Sequence, residues 1–307
     1  MSRKDTVAVG HMSGVPPSSS SSSSKMSYED LYHKNQKPKV DCLIFDLDDT
    51  LYPLNSGIAA ECLQNIRDYM VEKLWIEKSE VEELSNLLYK NYGTTMAGLR
   101  AIGYSFNYDD YHSFVHGRLH YEKLKPDPVL RHLLLNLPIR KVIFTNADRI
   151  HVAKALRKLG LEDCFQGIIC FETLNEPNGE FFNERNLFDV LQHSVSPAPG
   201  VELPKTPVFC KPSEFAMEYA LRLANIEPGR AIFFDDSVRN IQAAKGVGLR
   251  TVLVGSSHRI KGADFVLESI HNIREALSEL REETDKSEDI VLRQSNIAAK
   301  TVTSVTA

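Results

Sequence analysis

The apolar run Val40, Cys42, Leu43, Ile44 and Phe45 stops abruptly at Asp46-Leu47-Asp48-Asp49-Thr50. A run this short and this apolar suits a strand buried on both faces, the situation of a parallel sheet under helices. Its end is acidic, and open α/β sheets bind ligands at the carboxyl ends of their strands. Two later apolar runs end in comparable chemistry. Val142-Ile143-Phe144 gives way to Thr145-Asn146, and Ala231-Ile232-Phe233-Phe234 to Asp235-Asp236-Ser237. Between them, Lys211 precedes a helix that Ser213 can cap.

The rest of the chain has the same rhythm from Asp127 onward. Candidate strands are Arg140–Thr145, Gly167–Phe171, Ala231–Asp235, Arg250–Val254 and Phe265–Val266. Candidate helices are Asp127–Leu135, Ile150–Leu159, Ser213–Leu223, Ser237–Gly246 and Glu268–Leu280. This alternation predicts an α/β fold with a doubly wound, mostly parallel sheet. Residues 57–118 differ. Ile58, Cys62, Ile66, Tyr69, Met70 and Leu74 keep helical spacing. Ser79 with Glu82 reads as a capping box opening a second helix, and shorter helices follow at Thr95–Ala101 and Tyr108–His116. The expected organisation is a disordered Ser-rich segment 1–37, a core of 38–54 plus 126–282, an inserted all-helical unit 55–125, and a loose tail 283–307. Residues 174–207 read as loop with one helix at Asn186–His193. At Lys73-Leu74-Trp75-Ile76-Glu77 capping favours glycine, and Trp75 reads as a packed loop aromatic.

A formal charge of −5 gives no basic footprint for nucleic acid. No apolar stretch is long enough to span a membrane. Five scattered cysteines without Cys-x-x-Cys spacing read as buried thiols in a reducing compartment, which points to the cytoplasm. The Ser-rich, acid-poor start leaves a plastid transit peptide as the alternative, against which stands a single arginine, Arg3. Oligomeric state is not legible.

Taken singly, a threonine after a strand commonly makes a turn, a lysine before a helix is commonly solvated, and paired aspartates commonly cap. Jointly they mean more. If the sheet is parallel, Asp46, Asp48, Asp235 and Asp236 converge on one edge. Two such charges about 4 Å apart repel by roughly 4 kcal/mol at an effective dielectric of about 20. The cluster must therefore hold protons or a cation, and oxygen-only ligands of this hardness suit Mg²⁺.

These motifs (Phe45–Thr50, Phe144–Asn146, Lys211 and Phe234–Asp236) resemble, in order and spacing, those of the haloacid dehalogenase superfamily of phosphohydrolases. The helical insertion resembles that family's C1 cap. Asp-Thr-Leu-Tyr-Pro at 49–53 and Lys211-Pro-Ser are similar to the pyrimidine 5′-nucleotidase branch, plant members in particular. The resemblance implies a nucleophile at Asp46, which forms an aspartyl-phosphate, and a general acid then base at Asp48. It implies phosphate binding by Asp46, Thr145, Asn146 and Lys211, and Mg²⁺ held by Asp46, the Asp48 carbonyl and Asp236, with Asp235 assisting directly or through water. Tyr52 and Arg100 are the candidates for touching the rest of the substrate, and Tyr52, Tyr92, Tyr104 and Phe106 are aromatics that either stack on a base or fill the cap core. The expected activity is Mg²⁺-dependent hydrolysis of a small phosphorylated metabolite, a pyrimidine nucleoside 5′-monophosphate first, with a sugar phosphate or lysophosphatidate as alternatives. A receiver-like phospho-signalling module would share strand-end aspartates, hydroxyl and lysine, but lacks both the Asp-x-Asp-x-Thr spacing and the insertion.

Overall fold

The computed structural model describes residues 40–175 and 187–278. The expectations for residues 1–37 and 283–307, and the start of the helix at Asn186, lie outside these. Six strands, β1 (Cys42–Phe45), β2 (Arg140–Phe144), β3 (Gly167–Ile169), β4 (Ala231–Asp235), β5 (Arg250–Val254) and β6 (Phe265–Leu267), form one sheet in the order β3-β2-β1-β4-β5-β6. All pairings are parallel. The acid-bearing first strand is thus central, with β2 on one side and β4 on the other, at the point where the strand order reverses.

The two faces of β1 explain the unbroken apolar run. Leu43 and Phe45 point into a core with Ile143 and Phe234. Cys42 and Ile44 point the other way, into a core with Val142 and Phe233. Phe45 stacks on Phe234 at 4.8 Å between ring centroids.

Between β1 and β2 the chain makes α1 (Ile58–Glu72), α2 (Val81–Tyr92), α3 (Thr95–Ala101) and α4 (Tyr108–Val115), which pack around their own core of Tyr69, Met70, Leu88, Leu99, Tyr111 and Val115. Thr94 and Asn107 cap α3 and α4 through their side chains. After the insertion the chain makes α5 (Pro128–Leu135), α6 (Arg149–Leu159), α7 (Phe171–Leu174), α8 (Val190–Val195), α9 (Glu214–Leu223) and α10 (Val238–Gly246). Leu130 and Leu134 of α5 and Val152, Ala155 and Leu156 of α6 cover one sheet face; Ala216, Met217 and Ala220 of α9 and Ile241 and Ala244 of α10 cover the other. Residues 273–278 are helical, after a 3₁₀ turn at Ile270–Asn272.

Several local expectations are corrected. Helix α2 starts after Glu80, with no side-chain cap, so the Ser79 capping box does not form. Strand β3 ends at Ile169 because Phe171 already opens α7. Helix α8 lies later than the pattern placed it, and its Val190 packs with the inserted helices. Trp75 is not packed: it is 86% exposed and adopts φ 59°, the left-handed geometry glycine takes freely.

Candidate active site

Asp46 leaves β1 with its backbone N–H donating to Phe234 O at 2.8 Å, which fastens it between β1 and β4. Lys211, 2% exposed, donates from Nζ to Asp46 Oδ1 and to Asp235 Oδ2, each at 2.7 Å. Burial disfavours the ammonium, but the two carboxylates outweigh that and push its pKa up. The Lys211 backbone is held from both sides by one side chain. Asn146 Oδ1 accepts from Lys211 N at 2.8 Å, and Asn146 Nδ2 donates to Lys211 O at 3.0 Å. Thr145 Oγ1 accepts from Ala147 N at 3.1 Å, which leaves its hydrogen to donate.

Asp235 and Asp236 separate into different jobs. Asp235 is fully buried. Its Oδ1 accepts from Ser237 N at 2.8 Å and from Asn240 at 3.0 Å, while Oδ2 takes Lys211 and Asn240. Asp236 is exposed. One carboxylate oxygen from each of Asp46, Asp235 and Asp236 lies within 4.8 Å of the others. Although one edge of Asp236 is open to solvent, the protein packed around its carboxylate desolvates it, and this, then Asp235, pushes its pKa up to about 6; burial, then Asp236 and Asp48, pushes Asp49 up to about 7. Asp46 is also raised, first by burial, with Lys211 opposing. Asp49 Oδ1 is buried without a hydrogen-bond partner, and its residue sits at φ 60°. So Lys211 leaves negative charge uncompensated here. The oxygen-only donor set fits a hard divalent cation such as Mg²⁺, with Asp46 and Asp236 as the carboxylates free to take it.

Asp48 has different neighbours. His151 Nε2 lies 2.6 Å from Asp48 Oδ1, and the Tyr52 hydroxyl donates to the same oxygen. Burial disfavours the Asp48 carboxylate, but the His151 charge and both hydrogen bonds hold its pKa down at about 2. Desolvation acts against the His151 imidazolium as well, and Asp48 wins, raising it. His151 Nδ1 meets the Tyr121 hydroxyl at 2.8 Å.

A cavity of about 520 Å³ spans this floor and the inserted helices, the size of a small-molecule site. Its floor includes Asp46, Asp48, Thr145, Asn146, Lys211 and Asp236; its roof includes Ile58, Cys62, Ile66, Ser85, Asn86 and Tyr111. Two contacts brace the roof. Gly93, at φ 87° after α2, passes so close to the Lys211 loop that a Cβ would fall 2.4 Å from Lys211 O. Arg239 of α10 donates to the carbonyls of Tyr89 and Lys90 at 2.9 Å each.

The sequence expectations therefore meet in space for Asp46, Asp48, Thr145, Asn146, Lys211, Asp235 and Asp236. Tyr52 lines the cavity, but it is 4% exposed with its hydroxyl committed to Asp48, so it positions that carboxylate and does not reach outward. Arg100 does not line the cavity. Its guanidinium turns into the inserted unit, bonds Tyr104 O at 2.9 Å and lies over Phe106 and Tyr108. Phe106 is 6% exposed in that unit's core, where Tyr92 and Tyr104 also pack. Sequence reasoning missed His151 and Asp49. The spacing Asp148-x-x-His151 at a helix start was the available signal.

The haloacid dehalogenase-like hydrolase family model matches residues 40–248. Phosphate metabolism protein 8 of Saccharomyces cerevisiae is 26% identical over 272 residues, spanning 83% of this chain and 75% of the yeast protein. Among solved structures, the HAD phosphatase from Thermococcus onnurineus gives a TM-score of 0.46 at 20% identity, covering 77% of this chain and 97% of that one. CbbY from Rhodobacter sphaeroides in complex with phosphate gives 0.48 at 19% identity, covering 76% and 96%. Because the family match begins before β1 and runs past β4, taking in every strand end that carries a site residue, the chain belongs to the haloacid dehalogenase-like hydrolases.

Proposed function

We propose that the chain is a Mg²⁺-dependent phosphatase that hydrolyses a small phosphate monoester through an aspartyl-phosphate at Asp46. The observation that carries this reading is the Lys211 ammonium, 2.7 Å from Asp46, beside carboxylates whose charge it only partly balances. Asp46 Oδ1 is held by Lys211, while Oδ2 meets only Thr50 Oγ1 at 3.4 Å among the described contacts. That oxygen is the one to attack phosphorus in line. The Thr145 hydroxyl and Lys211 hold the phosphoryl oxygens and offset the charge that grows on them. Mg²⁺, which Asp46 and Asp236 would hold, would supply further positive charge to offset the phosphate. Asp48 passes a proton to the leaving oxygen and later takes one from water, and His151 is the reservoir beside it. The roof excludes water from the intermediate.

The finer reading is a pyrimidine nucleoside 5′-monophosphate substrate. It is supported by the likeness of residues 49–53 and of Lys211-Pro-Ser to that branch, and by a cavity large enough for a nucleoside. A panel of UMP, CMP, AMP, sugar phosphates and lysophosphatidate tests it; equal rates on all would remove the nucleotide reading and keep the phosphatase. Asp46→Asn is expected to lower turnover by about 10⁴-fold or more with the fold intact. Chelation should remove activity and Mg²⁺ restore it. Multiple turnovers would exclude a receiver-like module, which accepts one phosphoryl group and stops.

A further inference from the structure

A second cluster of ligating side chains sits beside the catalytic floor and has no part in the mechanism above. His112 on α4 and His116, the residue that ends that helix, stand one turn apart with their rings nearly parallel, 5.4 Å between centroids and 21° between planes. Facing them from the start of α6 is Asp148. Its Oδ1 lies 2.5 Å from His116 Nδ1 and 3.8 Å from His112 Nδ1. One ligand atom from each of the three lies within 4.8 Å of the others. Two atoms bound to the same tetrahedral ion at about 2.0–2.1 Å each lie about 3.3 Å apart, so the observed pair of distances brackets what an ion between them requires.

The carboxylate is already aimed. Asp148 Oδ2 accepts from Ile150 N at 3.0 Å and His151 N at 3.3 Å, which leaves Oδ1 pointed at the histidines. Fixing of a ligand by such outer hydrogen bonds is usual in metal sites. His112 supplies the independent sign. It is 7% exposed, and neither ring nitrogen has a hydrogen-bond partner. A buried imidazole without partners is costly and rare. Both histidines line the cavity, so a further coordination position opens onto it.

We propose that His112, His116 and Asp148 bind a borderline divalent transition ion of the zinc class, with the remaining position taken by water from the cavity. Two imidazoles and one carboxylate match that class and not Mg²⁺, which prefers oxygen donors. The site is distinct from the carboxylates at the ends of β1 and β4. Binding replaces the proton shared by His116 and Asp148, so one proton is released to solvent per ion bound to the protonated pair. Because α4 belongs to the insertion and α6 to the core, the ion would clamp one to the other at the edge of the cavity.

The test uses the whole protein, freed of metal by chelation and returned to excess Mg²⁺ so that the carboxylate centre is occupied. Co²⁺ alone is titrated in, and visible absorption is recorded. One equivalent is expected to give the strong d–d bands of a four- or five-coordinate site, bleached by Zn²⁺. His116→Ala and His112→Phe should each weaken Co²⁺ binding by about 100-fold or more. The phenylalanine fills the imidazole's space and breaks no hydrogen bond, so folding is retained. Asp46→Asn should leave the bands unchanged. Absence of the bands, their survival in His112→Phe and His116→Ala, or their loss in Asp46→Asn would overturn the site. Hydrolysis by wild-type protein with Mg²⁺ alone is a separate readout, so the two proposals fail separately.

Discussion

Lys211 carries a full charge where water barely reaches, and it does so because two carboxylates meet it at 2.7 Å. Removing the lysine would leave two buried carboxylates uncompensated, at a cost of about 3–5 kcal/mol. The lysine therefore serves structure as well as chemistry. Asp48 shows a second residue-scale design: three groups from separate places, Asp48, Tyr52 and His151, share one proton network. Tyr52→Phe removes a hydrogen bond to the charged form of Asp48, so the Asp48 pKa should rise from about 2. Turnover should fall about tenfold, the equivalent of one lost hydrogen bond. The acidic limb of the pH–rate profile should move to higher pH, and steady-state kinetics across pH check both. If Tyr52 acted by stacking on substrate, KM would rise instead and the limb would stay in place.

Among the elements, α2 matters most to the site, because its end is pinned to the core by Gly93 and Arg239. Gly93→Ala adds a Cβ in collision with the Lys211 carbonyl and strains a positive φ. A loss of about 2 kcal/mol or more in unfolding free energy is expected, with a drop in kcat as Lys211 is displaced; denaturant melts and kinetics measure these. The same scale shows what a sequence can reveal. Strand ends were legible because a fully buried strand must be apolar and its last residue is where polar chemistry begins. Ser213 was legible as a cap because capping is local. The start of α2 was not, since Glu80 ends up as the N-cap without any side-chain bond. His151 was not read as a partner of Asp48 because the contact joins residues 103 positions apart. The settings of Tyr52 and Arg100 were not legible for a related reason: the direction of a side chain depends on packing that no local pattern encodes.

For the whole molecule, the ion pair of His116 with Asp148 joins insertion to core and makes their union depend on pH. Burial works against the charged His116, but the hydrogen bond to Asp148 and contact with Cys62 outweigh it and push its pKa up to about 8. A group raised in the folded state stabilises fully below its unfolded pKa near 6.5, and that contribution disappears as pH climbs through about 8. In metal-free protein, unfolding free energy should fall by about 2 kcal/mol over this window. His116→Gln should flatten that slope, as chemical denaturation at several pH values would show. The order of the sheet has a consequence in time. Cys42 pairs with Arg140 on one side and with Ala231 on the other, so β1 is made first and its neighbours much later. Such distant pairings make folding slow. On the ribosome, Asp46 has no Lys211 or Asp235 to meet until β4 has emerged. A nascent chain thus stays catalytically silent until then, and its central strand waits with one edge unpaired, a natural client for chaperones.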